Sequence, residues 1–92
     1  MRLQWTRNAI ADRRIIIRYI ARDDPSAAIR MNILLKNAAM SLLTFPFKGR
    51  CGRVSGTREL IAHANYLIIY SVDGDIIRIL AVLHAAQQYP PE

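Results

Sequence analysis

Arg78 and His84 stand on the otherwise aliphatic run IIRILAVLH, and Lys48, Arg50, Arg53 and Arg58 crowd the preceding stretch FPFKGRCGRVSGTRE. These residue types suit chemistry at an RNA phosphodiester. Such cleavage needs a base on the 2′-OH, cations on the equatorial oxygens and an acid at the leaving 5′ oxygen. Histidine transfers protons near neutral pH, and arginine or lysine stabilises the developing charge. RNA supplies its own 2′-OH nucleophile, so this chemistry calls for neither metal nor cofactor. No metal constellation is visible either, since His63 and His84 stand alone and no carboxylate pair brackets them.

Residues two apart on a strand share a face. Arg78, Leu80, Val82 and His84 are therefore expected to point one way, and Ile77, Ile79, Ala81 and Leu83 toward the helices. If loop 48–53 folds over the first face, Lys48, Arg50, Arg53, Arg58, Arg78 and His84 converge, with Tyr66 or Tyr70 beside them. A structural account stands next to this one. A lone histidine at a strand end is more often a surface or capping residue than a catalyst, and Arg78 could pair with an acidic residue such as Glu59.

The elements that must position these residues follow from local pattern. RLQW alternates polar and apolar and suits a short strand at residues 2–5. Thr6 is a fitting N-cap for a helix from about Arg7 to Asp23, closed by Pro25. On it Arg14, Arg18 and Arg22 recur every four residues and form one face, expected to be solvated. Asp24 as N-cap and Pro25 at N1 open a second helix that must end before Pro46. Its seam of Ala28, Met31, Leu35, Ala38, Leu42 and Phe45 steps by three and four, as a core-facing stripe does.

Three glycines between Pro46 and Gly56 predict a loop or weak edge strand. Strands are expected over Arg58–His63, Tyr66–Val72 and Ile76–His84, the last two joined as a hairpin by the Asp-Gly signal at Asp73 and Gly74. The order β-α-α-β-β-β predicts an α+β two-layer sandwich. The N-terminal strand and an αα-hairpin would pack on a mainly antiparallel sheet, all within one domain spanning 1–92.

A net charge of +6 on 92 residues points to an anionic partner. Of the thirteen basic residues only Lys36 and Lys48 are lysine, and arginine's planar fork suits bidentate contact with phosphate or carboxylate. Cys51 is the only cysteine, which excludes an internal disulfide and a cysteine-based metal site. No run approaches the ~20 apolar residues that span a bilayer. The N-terminus lacks the apolar core of a signal peptide, with Arg13 and Arg14 where it would lie. A reducing, cytoplasmic setting is expected, with no membrane association.

The element order and the stretches DDPSAA, GTRELIAHANYLIIYSVDGD and IIRILAVLHAAQQYP resemble the RelE/ParE superfamily of toxins from bacterial type II toxin–antitoxin modules. The likeness runs over nearly the whole chain and is strongest from Gly52 to Pro90. It implies a small basic toxin that arrests growth or stabilises plasmids, held inactive in a hetero-oligomer by an antitoxin whose acidic or amphipathic segment wraps it. RelE-like members cut mRNA on the ribosome; ParE-like members poison DNA gyrase without that catalytic set.

By resemblance, Lys48 and Arg50 stand at the basic loop positions of RNA-cleaving members, Arg58 and Arg78 at their strand arginines, and His84 at their C-terminal acid or base. An arginine before ILAVLH and the histidine itself also occur in ParE-like members. Many of those relatives read HARRQ where this chain has HAAQQ, so the charge is absent at Ala86 and Gln87. The charge and the basic set favour ribosome-dependent mRNA cleavage as the expected activity, with non-enzymatic gyrase inhibition as the alternative.

Overall fold

The structure, a computed structural model, describes residues 1–87, 89 and 90. Gln88 of the HAAQQYP stretch and the last two positions of the expected 1–92 domain lie outside the described residues. The elements are β1 (Arg2–Trp5), α1 (Arg7–Ala21), α2 (Pro25–Ser41), β2 (Arg50–Cys51), β3 (Arg58–His63), β4 (Tyr66–Asp73) and β5 (Ile76–His84).

Both helix starts follow from their caps. Thr6 Oγ1 accepts the Ala9 N–H at 3.1 Å, and an Asp24 carboxylate oxygen accepts the Ala27 N–H at 3.0 Å with Pro25 opening α2. Helix α1 stops at Ala21 rather than Asp23. Asp24 must be extended (φ −150°, ψ 91°) to cap α2 and to precede a proline, so the chain leaves the α conformation early. Asp24→Ala removes this exposed cap and is expected to cost about 1 kcal/mol, read as the shift in urea midpoint at unchanged slope.

The seam of α2 faces the core through Ala28, Leu35 and Leu42, with Met31 and Ala38 half-buried. Phe45 does not follow it and is 61% exposed. Regular helix ends at Ser41 and the chain turns, so spacing along α2 no longer sets the direction of that ring.

The sheet has the order β1-β5-β4-β3-β2. β1 runs parallel to β5 at one edge and every other pairing is antiparallel. The β4–β5 turn has Gly74 at φ +59° followed by Asp75, the arrangement of a two-residue type II′ hairpin. The helices cover one face. Ala9, Leu35, Ala39 and Leu42 there meet Leu60, Tyr66, Ile68, Tyr70, Ile77, Ile79 and Val82. On the opposite face Ile69, Ala81 and Leu83 form a second small cluster with Leu80 and Tyr89.

Those two clusters overturn the strict alternation expected for β5. Tyr70 pairs with Ile79 and Ile69 with Ala81, so Leu80 is an extra residue, a β-bulge. Past it the parity reverses. Val82 turns toward the helices, and Ala81 and Leu83 turn away from them.

Candidate functional site

His84 pairs directly across from Tyr66, and the two rings meet edge-on at 5.6 Å. Tyr66 belongs to the helix-side core, so His84 lies on that side at the end of β5. Arg78 lies before the bulge, opposite Ser71 and between the helix-facing Ile77 and Ile79, and so points to the other face. The expectation that Arg78 and His84 share a face is therefore corrected. They are also six residues apart along the strand, about 20 Å at strand spacing.

Nor does Arg78 pair with Glu59. It forms an ion pair with Asp73, whose carboxylate also accepts from Ser71 Oγ at 3.4 Å. Glu59 pairs instead with Arg50, directly opposite it on β2, at 3.0 Å. Glu59 faces Ile69 across β3 and β4, so this pair lies on the face away from the helices.

The loop before β2 is tied to the other side. Tyr70 is fully buried in the helix-side core, and its hydroxyl donates to the Pro46 carbonyl at 2.8 Å and accepts the Gly49 N–H at 2.9 Å. Arg58, opposite Tyr70, donates to the Gly49 and Phe47 carbonyls at 2.7 and 3.2 Å and lies 5.0 Å from the centre of the Phe47 ring. Gly49 must be glycine because a Cβ there would sit 2.7 Å from Tyr70 Oη and 2.9 Å from the Glu59 carbonyl. Arg58 thus works as a clamp on the loop. Lys48 and Arg53 are exposed, and neither makes an ion pair among the described residues.

Both histidines are held in one tautomer. His63 Nδ1 accepts the Asn65 N–H at 3.1 Å and His84 Nδ1 accepts the Ala86 N–H at 3.2 Å, which leaves the proton of each neutral ring on Nε2. Gln87 closes the same turn. Its Oε1 accepts the His84 N–H at 2.7 Å. Among the described residues no group of three metal-ligating side chains comes together. The structure thus unites Arg50 with Glu59 and Arg58 with the loop; among the described residues no hydrogen bond or ion pair joins either to Arg78, on the Arg50–Glu59 face, or to His84, on the Arg58 side.

Sequence reasoning missed a groove of about 510 Å³ along α1. Trp5, Ile10 and Ile17 supply its apolar surface, and Arg13, Arg14 and Arg18 its charge. Arg13 is held in place. Its Nε donates to Asn32 Oδ1 at 2.8 Å, a second N–H reaches the Asn32 carbonyl at 3.3 Å, and the guanidinium lies 4.8 Å from the centre of the Trp5 ring. Burial lowers the Arg13 pKa, yet arginine stays charged. The arginine periodicity on α1 was the available signal. It omitted Arg13, and nothing local ties Asn32, nineteen residues on, to it.

A helical hairpin on one face of a five-stranded mixed sheet, with arginines along α1 and a clamped basic loop, defines a basic two-layer α+β protein of RelE/ParE type. The model of the family described as ParE toxin of type II toxin-antitoxin system, parDE, matches residues 3–89. Y4kP of Sinorhizobium fredii is 41% identical over 90 residues, 97% of this chain and 93% of that protein. Toxin RelE2 of Caulobacter vibrioides is 40% identical over 83 residues, 90% and 93% of the two chains. The solved chromosomal ParDE TA system from P. aeruginosa matches with a TM-score of 0.82 at 26% identity, over 91% of this chain and 95% of that one. The chain belongs to the ParE toxin family of type II toxin–antitoxin systems, and its partner protein is accordingly an antitoxin. Among the described residues no helix is long and apolar enough to cross a membrane.

Proposed function

We propose that this toxin arrests growth by binding a protein target, DNA gyrase, and not by cutting mRNA. The bulge at Leu80 carries this reading, since it separates Arg78 from His84 onto opposite faces of β5. A phosphodiester-cleaving site needs base, acid and cations around one phosphate. Here Arg58 is committed to two loop carbonyls and Arg78 to Asp73. His84, with Nδ1 accepting from Ala86, caps a turn. The role of Lys48, Arg50 and Arg53 in this reading is surface attraction of an anionic or acidic partner, not catalysis.

The test is controlled expression of the toxin with two readouts. His84→Ala is expected to keep growth arrest within about threefold of the parent, well short of the ~10²-fold loss that follows removal of a general acid or base. Gyrase-linked DNA breaks and an SOS response should appear with mRNA intact. Codon-positioned cuts in ribosome-bound mRNA, abolished by His84→Ala, would establish the RNA-cleaving alternative and overturn this proposal.

A further inference from the structure

We propose that the groove along α1 binds a chain of linked phosphoryl groups, an inorganic or nucleoside polyphosphate, with Arg13 as its pre-positioned contact. This goes beyond the gyrase proposal and uses none of the residues on which that reading stands, so either can fail alone.

Arg13 carries the argument. It is half-buried, and the groups that hold it are neutral: Asn32 takes the Nε and one Nη2 N–H, and the guanidinium lies over the Trp5 ring. Among the described residues no carboxylate forms an ion pair with it. A cation drawn partly out of water without a counter-charge is unfavourable, and the same burial lowers its pKa. An anion in the groove supplies the missing charge. Arg14 and Arg18 stand one turn apart on the same side of α1, and both are exposed. Like charges at that spacing repel, and no acidic side chain lines the groove to offset them. Asp12, the acidic residue within α1, has its carboxylate engaged with the Val82 N–H.

Arginine's planar fork matches phosphoryl oxygens bidentately. Asn32 and Trp5 already fix the Arg13 side chain, so its remaining N–H donors bind with little rotamer entropy left to lose. A single tetrahedral anion on Arg13 does not span Arg14 and Arg18, about 6 Å apart along the helix axis. A chain of linked phosphoryl groups meets all three. At about 510 Å³ the groove falls in the size range of small-molecule sites. Trp5 and Ile10, the latter 43% exposed, form an apolar wall beside the cations, on which the base of a nucleoside polyphosphate can rest. An inorganic chain needs only the arginines.

The test uses the full chain, ¹⁵N-labelled and made by cell-free synthesis. Trp5 is the only tryptophan, so its fluorescence and indole signal report on the groove. Sodium tripolyphosphate, metal-free ATP and sulfate are titrated at matched ionic strength. Tripolyphosphate should shift the Trp5 indole and Arg13 Nε signals and bind about 10-fold more tightly than sulfate. Arg13→Gln should weaken it by about 10-fold. The exposed pair Arg14→Gln and Arg18→Gln should do the same, which supplies the comparison if Arg13→Gln does not fold. Asn32→Ala should weaken binding less and broaden the Arg13 Nε signal, as expected of a positioning residue. Arg53→Gln, outside the groove, should stay within about twofold of the parent. Tighter binding of ATP than of tripolyphosphate identifies a nucleoside polyphosphate, and equal or weaker binding identifies the inorganic chain. Equal affinity for sulfate, an equal loss in Arg53→Gln, or no shift at Trp5 and Arg13 would overturn the proposal. So would a single-stranded oligonucleotide or a glutamate-rich peptide that seats at Arg13 more tightly than tripolyphosphate, because the groove then serves a macromolecule.

Discussion

Tyr70→Phe is expected to destabilise the protein by about 2–3 kcal/mol, although the substitution removes one oxygen and keeps the whole buried ring. That oxygen serves the Gly49 N–H and the Pro46 carbonyl, on a loop that Arg58 also holds through the Phe47 and Gly49 carbonyls. Gly49 is buried and its amide loses its partner outright, whereas Pro46 is half-buried and water replaces part of what is lost. Thermal unfolding should shift downward by roughly 10–20 °C for a domain this small. Amide exchange at Gly49 should accelerate by more than global stability explains, because only Arg58 still clamps that segment. A loss under about 0.5 kcal/mol would show that the hydroxyl does not anchor the loop.

Asp12→Ala is expected to cost about 2 kcal/mol through a different deficit, at a sheet edge. β1 ends at Trp5, opposite Ile79, so β5 has no strand neighbour on that side from Leu80 onward. The start of α1 takes its place. Thr6 Oγ1 and Asn8 Nδ2 donate to the Leu80 carbonyl at 3.3 and 3.2 Å, and Asp12 accepts the Val82 N–H at 3.0 Å. Removing the carboxylate leaves the Val82 amide without its acceptor and uncovers part of a strand edge. Asp12→Asn keeps an acceptor oxygen and should lose less than half as much. Urea unfolding of both variants measures the difference; equal losses would mean that helix packing, and not this bond, is what Asp12 supplies.

Much of this fold is legible in the sequence because its signals are local. Thr6, Asp24 and Pro25 mark helix starts through bonds that reach only three residues. The Asp73–Gly74 signal marks the hairpin because only glycine readily takes φ +59°. Where an element depends on its surroundings, the same reasoning loses its hold. Phe45 continues the α2 stripe in sequence but is solvent-exposed, since helix geometry stops at Ser41.

The candidate site shows the limit more sharply. Lys48, Arg50, Arg53, Arg58, Arg78 and His84 form a convincing basic set along the chain, yet each one's neighbours depend on pairing register. Arg50 faces Glu59 because β2 pairs there, and Arg58 meets the loop because Tyr70 draws Pro46 and Gly49 inward. The Arg13–Asn32–Trp5 arrangement joins three elements and has no signature within any of them.

The sequence by itself determined the element order, the helix caps, the basic character and the membership of a toxin family. All of these rest on short-range geometry or on the ordered succession of segments. Only the tertiary structure decided on which side of the sheet Arg78 and His84 lie. Strand alternation has a period of two, so one unpaired residue, Leu80, reverses every side chain beyond it. That extra residue exists only in the pairing of β5 with β4.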